Sequence, residues 1–264
     1  MMIKINNLEF TYSSTPVLND VSFDIEGPQL VAILGPNGVG KSTLIHCINK
    51  ILTPTGGTVI VNNKDVDEYK TYKLSQIIGY VPYTSSDTFP MPVVDAVLIG
   101  RHPHSRWKFN EHDLDVVYEV LEMLNIDDLA LRPFNELSAG QHQKVMLARG
   151  LAQEPEIILL DEPTSNLDIR HQLEVMKMLK QISVQKNVLV LIICHDINIS
   201  AKYADKIILL SKGTIYAAGT PEEVITKENL REVYGVDADI LEIDGSPHAI
   251  FKDDNIILKG LEAS

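Results

Sequence analysis

Unbroken apolar runs punctuate the chain at Leu30–Leu34, Ile157–Leu160, Val188–Cys194 and Ile207–Leu210, each bounded by turn or polar residues. A run without alternation is what a strand buried on both faces requires, as in a parallel sheet. Several of these runs lead into segments with helical spacing, so the pattern predicts an α/β core. The start of the chain reads differently. Lys4–Phe10 and Val21–Ile25 alternate apolar and polar positions, which predicts antiparallel strands joined through a turn at Ser13-Ser14-Thr15-Pro16.

Between residues 84 and 151 the texture becomes helical. Val93–Ile99 and Leu114–Leu124 carry apolar residues at i, i+3, i+4 and i+7, with acidic residues on the other face. The pattern therefore predicts residues 1–83 and 152–235 as an α/β core with an antiparallel N-terminal β subdomain. Residues 84–151 form an inserted α-helical subdomain, hinged at Thr84-Ser85-Ser86-Asp87. From Val236 onward, short strand-like pieces predict a small appendage over 236–264. No internal repeat or low-complexity segment interrupts this plan.

Composition narrows the function. With 264 residues, 45% of them hydrophobic and 22% charged, the chain is ordinary for a globular protein with a full core. A formal charge of −13 argues against non-specific binding to nucleic acid, which is not an expected partner. Cys47 and Cys194 stand far apart and outside any C-x-x-C pair, so they read as buried, reduced thiols. Met1-Met2-Ile3-Lys4 leads straight into a polar, strand-like segment with no signal-peptide pattern. The apolar runs fall well short of the ~20 residues that span a bilayer. A membrane role is therefore expected only through a partner.

The chemistry concentrates at the ends of the apolar runs. Gly35-Pro36-Asn37-Gly38-Val39-Gly40-Lys41-Ser42-Thr43 matches G-x-x-x-x-G-K-[ST] between a buried strand and a predicted helix over Thr43–Asn49. Its glycines let backbone N–H groups converge on phosphate oxygens, and the helix start adds a favourable dipole. Lys41 is expected to reach the β- and γ-phosphates, and the Ser42 hydroxyl to ligate Mg²⁺. Ile157–Leu160 ends in Asp161-Glu162, two carboxylates at the carboxyl edge of the expected parallel sheet. Asp161 suits a Mg²⁺ role and Glu162 a general base for the attacking water. His195 ends the next strand, where it can meet a γ-phosphate. Leu137-Ser138-Ala139-Gly140-Gln141 opens a helix over Gln141–Leu151 with a capping box, Ser138 to Gln141. The exposed N–H groups of that helix start can also hold a phosphate. One subunit cannot bring both helix starts to the same γ-phosphate, but two subunits packed head to tail can.

In order and spacing, these motifs resemble the ATP-binding subunit of an ABC transporter over essentially all of residues 1–264. The resemblance implies one ABC ATPase domain with a P-loop NTPase core, and ATP and Mg²⁺ as cofactors. It makes Tyr12 the adenine-stacking aromatic, Ser165-Asn166-Leu167-Asp168 the D-loop and His195 the switch histidine. Nucleotide contacts are implied for Gly35 to Thr43, Asp161 and Asp168, and for the signature residues Ser138, Ala139, Gly140 and Gln141. A head-to-tail homodimer, two permease subunits and, indirectly, a substrate-binding protein are the implied partners. The subunit would sit at the cytoplasmic face of the membrane. Leu167-Asp168-Ile169-Arg170-His171-Gln172, His195-Asp196-Ile197-Asn198, Gly219-Thr220-Pro221 and Val233-Tyr234-Gly235 resemble the importer branch for iron–siderophore, haem and cobalamin complexes. Importers of oxyanions or metal ions, and non-transport ABC-type ATPases, are the alternatives. The non-transport relatives usually carry coiled-coil insertions or paired cassettes, which this sequence lacks.

Two positions depart from the family pattern. Ala139 stands where a glycine is usual, a difference of one methyl group beside the retained Gly140. Tyr83, in Gly79-Tyr80-Val81-Pro82-Tyr83, stands where a glutamine is usual. A neutral phenol lacks the amide's paired donor and acceptor and is a poor metal ligand. The expectation is that direct Mg²⁺ sensing at this position is lost or weakened.

Overall fold

The computed structural model describes residues 1–83, 90–105, 108–165 and 167–253. The alternating start of the chain forms β1 (Met2–Tyr12) and β2 (Thr15–Glu26), an antiparallel pair turning at Ser13-Ser14. Thr15 and Pro16, expected in the turn, instead pair with Tyr12 and Thr11. Proline is tolerated there because β2 is an edge strand. β3 (Leu30–Leu34) leads to α1 (Lys41–Ile48), and β4 (Gly56–Val61) with β5 (Lys64–Asp65) completes a four-stranded antiparallel sheet in the order β2-β1-β4-β5. α2 (Thr71–Ile77) runs directly into β6 (Ile78–Val81).

Helices alone follow among the described residues up to 151: α3 (Val93–Leu98), α4 (Glu111–Met123) and α5 (Ala139–Leu151), joined by short single-turn pieces. α4 starts three residues ahead of the apolar pattern because Asn110 and Asp113 form a capping box. Then come β7 (Ile157–Leu160), α6 (Ile169–Gln185), β8 (Leu189–Ile193), α7 (Ile197–Tyr203), β9 (Lys206–Ser211) and β10 (Thr214–Gly219). α8 (Pro221–Val224), α9 (Lys227–Tyr234) and the hairpin β11 (Asp237–Ile243) with β12 (Ser246–Lys252) close the described chain. The expected hinge at Thr84–Asp87, Asn166 of the D-loop, and residues 254–264 lie outside the described residues.

The second sheet has the order β10-β9-β3-β8-β7-β6, parallel throughout except for β10 at its edge. Its central strands are buried at every position, and alternate residues serve two cores. Val31, Ile33, Ile157, Leu159, Leu189 and Leu191 pack with α1 and the antiparallel sheet. Leu30, Ala32, Leu34, Ile158, Leu160, Val190 and Ile192 pack beneath the helices. That is why these runs carry no alternation in sequence. The helical region is pinned by a buried guanidinium: Arg101 Nε meets Asp113 Oδ1 at 2.9 Å, while Nη1 meets Ala152 O at 2.8 Å and Glu154 Oε2 at 2.7 Å. It ties the start of α4 to the end of α5.

Candidate nucleotide site

Four neighbouring parallel strands, β3, β8, β7 and β6, deliver their carboxyl ends to one edge of the sheet. Those ends carry the P-loop, His195, Asp161-Glu162 and Tyr83 respectively, so the topology gathers motifs scattered over more than half the sequence. This is the edge at which open α/β sheets bind ligands.

The loop after β3 depends on backbone shapes that only glycine takes easily. Gly35 has φ 146°, and a Cβ there would lie 2.4 Å from Leu210 O. Gly40 caps α1 at φ 102°, where a Cβ would meet Leu18 Cδ2 at 2.7 Å. No side chain caps the start of α1, so its first N–H groups point outward for an anion. Lys41 is buried, and its Nζ donates to Gly35 O at 2.8 Å and Pro36 O at 2.9 Å, which holds it across the loop. Burial pushes its pKa below the ordinary lysine value, while Glu162 and Asp161 draw it back up.

Ser42 Oγ donates to Asp161 Oδ1 at 3.1 Å, joining the first turn of α1 to the end of β7. Burial raises the Asp161 pKa; the Ser42 hydrogen bond opposes the rise and the Glu162 charge adds to it. A hydroxyl and a carboxylate side by side form an oxygen donor set that suits Mg²⁺, with phosphate and water completing the shell. Glu162 has φ 52°, a left-handed conformation uncommon outside Gly, Asn and Asp. The twist aims its carboxylate at two partners. His195 Nε2 lies 2.5 Å from Oε1, and Ser165 Oγ donates to Oε2 at 2.9 Å. A carboxylate held at both oxygens has one orientation, which is what a base for a bound water needs.

The signature lies on different ground. Ser138 caps α5: its Oγ accepts from Gln141 N at 3.4 Å, and Gln141 Oε1 accepts from Ser138 N at 3.1 Å. α5 begins at Ala139, two residues ahead of the expected start, because the helix runs from its cap. Ser138 and Ala139 are exposed and Gly140 is buried. Among the described residues, no hydrogen bond or ion pair joins Ser138–Gln141 to the P-loop, Asp161, Glu162 or His195. Asp168 caps α6 and is exposed; hydrogen bonds from His171, backbone first and then ring, hold its pKa below the usual carboxylate range. Tyr12 ends β1 with its ring edge-on to Phe10 at 4.7 Å and is 48% exposed, which leaves much of the ring available for stacking.

The chain matches the ABC transporter family over residues 18–165. This chain belongs to that family. It is 47% identical to an uncharacterized ABC transporter ATP-binding protein of Methanocaldococcus jannaschii, over 94% of this chain and 96% of the relative. It is 31% identical to the petrobactin import ATP-binding protein of Bacillus anthracis, over 98% and 95% respectively. Among solved structures it is similar to a metal-chelate type ABC transporter in an inward-facing conformation, with TM-score 0.82, 32% identity, and coverage of 95% of this chain and 96% of that one. A dimeric bacterial ABC transporter cassette aligns with TM-score 0.73 and 29% identity, over 83% and 98%. The fold is therefore that of an ABC ATPase cassette, and the chain binds and hydrolyses ATP.

Sequence reasoning placed Ser165 in the D-loop without its partner and gave no individual role to Tyr234 or Asn198. Ser165 holds Glu162 from within the D-loop sequence. Tyr234, the last residue of α9, reaches the P-loop. Burial pushes its hydroxyl pKa up to about 12, and a backbone hydrogen bond from Gly35 opposes the rise. Asn198, three residues after His195, acts as a surrogate strand for the terminal hairpin. Its Nδ2 donates to Ala249 O at 3.1 Å and its Oδ1 accepts from Ala249 N at 2.8 Å. Both Tyr234 and Asn198 fall inside short stretches that already resembled the importer branch, which was the only signal available. Tyr83 follows β6 and is 51% exposed. Cys47 and Cys194 are buried and free, and burial raises both thiol pKa values, Cys47 to about 12.

Proposed function

We propose that this ABC ATPase is the nucleotide-binding subunit of an importer for metal chelates of the iron–siderophore, haem or cobalamin kind. It would act as a head-to-tail homodimer beneath two permease subunits at the cytoplasmic face of the membrane, receiving cargo indirectly from a substrate-binding protein. The observation that carries the reading is the assembly of Lys41, Ser42, Asp161, Glu162 and His195 at one sheet edge, with the Ser138–Gln141 helix start exposed elsewhere. The petrobactin import relative and the metal-chelate type structure support the cargo class. No helix among the described residues is long and apolar enough to cross a membrane, so contact with a bilayer would run through the permease.

In this reading Tyr12 stacks on adenine, and the backbone of Gly35 to Thr43 wraps the phosphates with Lys41 against the β- and γ-groups. Ser42 and Asp161 would hold Mg²⁺, which when bound offsets charge on the phosphate oxygens. Glu162 takes a proton from the attacking water as its oxygen bonds to the γ-phosphorus and the bond to ADP breaks. His195 orients Glu162 and meets the γ-phosphate. Ser138, Ala139, Gly140 and Gln141 of one copy, with Asp168, complete the site of the other. ATP then favours the closed dimer because only that state supplies both halves of the site. Residues 84–151 would form the arm that carries the signature toward the partner, residues 1–83 and 152–235 the nucleotide-holding core, and residues 236–264 an appendage.

The decisive variant is Glu162→Gln. It should keep ATP binding, lower turnover on the order of 10²–10⁴-fold, and trap an ATP-dependent dimer seen by gel filtration. Turnover at the native rate would remove Glu162 from the role of base. Co-purification of the tagged chain with its permease and binding protein, followed by a ligand screen on the latter, tests the cargo class. A binding protein that takes only free oxyanions or bare metal ions would overturn it.

A further inference from the structure

His171, in the first turn of α6, touches two elements that the proposed dimer uses. Its backbone N donates to Asp168 Oδ1 at 2.9 Å and its ring Nδ1 lies 2.8 Å from the same oxygen. An ionised carboxylate only accepts, so Nδ1 carries the proton. The opposite edge of the ring lies on the signature helix. A Cβ built on Gly140 would fall 2.7 Å from His171 Cδ2, 3.1 Å from Nε2 and 3.2 Å from Cγ. Real side chains do not approach so closely; the half-exposed ring could give way only by swinging outward and giving up its hydrogen bond to Asp168. The same ring lines a small cavity of about 240 Å³ with Gly140, Gln141, Lys144, Asn125 and Asp128.

We propose that His171 is a positioning residue that locks Asp168 to the signature helix of its own subunit, and that Gly140 is a glycine because this ring occupies the space of its side chain. The inference rests on the dimer reading above, in which both elements face the partner copy. The hydrogen bond sets the ring, and the ring sets how closely any side chain at position 140 could sit. The methyl of Ala139 is harmless by the same logic, since Ala139 is exposed while Gly140 is covered by the ring.

Asparagine separates the two functions of the ring. Its amide nitrogen can stand where Nδ1 stands and donate to Asp168, while the edge over Gly140 is gone. Three quantities are to be measured on the full chain: binding of a fluorescent ATP analogue, turnover, and the ATP-dependent dimer in the Glu162→Gln background. Gly140→Ala should lower turnover and dimer formation on the order of tenfold to a hundredfold. His171→Asn should stay within about threefold of the native chain, whereas His171→Ala, which frees Asp168, should lose about tenfold. Analogue binding should survive in every variant, which separates positioning from general unfolding. The deciding variant is Gly140→Ala with His171→Asn, which should recover to the level of His171→Asn alone. A double variant as weak as Gly140→Ala would overturn the inference and leave Gly140 serving phosphate only. Loss of the ATP-dependent dimer from Glu162→Gln alone would instead overturn the dimer reading, a distinguishable result.

Discussion

The two helix starts that the site would use, those of α1 and α5, are built on opposite principles. At α1 the cap is Gly40 in a left-handed conformation, no side chain takes up the first N–H groups, and Lys41 is buried beside them. At α5 the cap is Ser138, and Ser138 and Gln141 satisfy each other's backbone groups in a closed capping box. The first start leaves its donors to a ligand and relies on packing from Val17, Leu18 and Leu210 to keep its shape. The second is self-sufficient and can stand exposed until a partner arrives. In the proposed dimer one phosphate site lies inside a subunit and the other is completed by the partner copy, and the two caps would suit those different demands.

The largest expected effect comes from the anchor behind the second start. Arg101 joins α4 to the far end of α5 while both its side chain and that of Asp113 are only 2% exposed. Arg101→Ala leaves buried Asp113 without its counter-charge, held only by Ser105 and the Asn110 backbone, and should cost about 3 kcal/mol in denaturant unfolding. Burial pushes the Asp113 pKa up, but hydrogen bonds from Ser105, the Asn110 backbone and Arg101, with the Arg101 charge, outweigh it and bring it to about 2. A depressed carboxylate stabilises the fold above its unfolded value of 3.8 and loses that contribution as pH falls toward about 2. The gap between native and Arg101→Ala should therefore be full at neutral pH and narrow across that acid window. A gap that stayed constant down to pH ~2 would show that Arg101 acts through packing and not through Asp113.

How much of this contrast was legible beforehand depended on range. The P-loop, the Asp161-Glu162 pair and the Ser138–Gln141 box are local signals, and the strands that present them announced themselves as unbroken apolar runs. The Asn110–Asp113 box is equally local, but it precedes the apolar period, which begins only at Leu114, so periodicity alone places the helix start too late. Long-range pairings left no trace. Nothing in the spacing of Arg101, Asp113 and Glu154 says that one guanidinium will meet both carboxylates. Nothing near Tyr234 says that its hydroxyl will reach the P-loop. The same holds for Glu162, whose left-handed backbone runs against its own preference. Chemistry could be read from residue types, but the contacts that orient it required the fold.

Next in size is the cap of the first start. Gly40→Ala places a methyl against Leu18 and forces a left-handed backbone on alanine, so about 2–3 kcal/mol of stability should be lost. ATP binding should fall with it, because the loop can relieve the clash only by turning its N–H groups away from the phosphates. Unfolding and binding of a fluorescent ATP analogue, measured together, check this. Stability lost with binding intact would mean that the loop keeps its shape without the glycine, and would blur the contrast with α5.

The smallest effect belongs to the second start and is the sharpest test of the difference. Ser138→Ala removes the hydroxyl that accepts from Gln141 N, and a lost N-cap of this kind costs about 1 kcal/mol. Gln141 still accepts from the backbone of residue 138, so half of the box survives. Stability should thus drop little, and ATP binding to the separate subunit should not change, since Ser138 makes no hydrogen bond to the P-loop side of the molecule. The ATP-dependent dimer in the Glu162→Gln background should weaken by more than the cap accounts for, because the hydroxyl then leaves the partner's phosphate as well as its own helix. If dimer formation falls only in step with the ~1 kcal/mol of helix stability, Ser138 is a cap and nothing else. The exposed start of α5 would then contribute shape to the partner site through Gly140, with its donors already spent on itself.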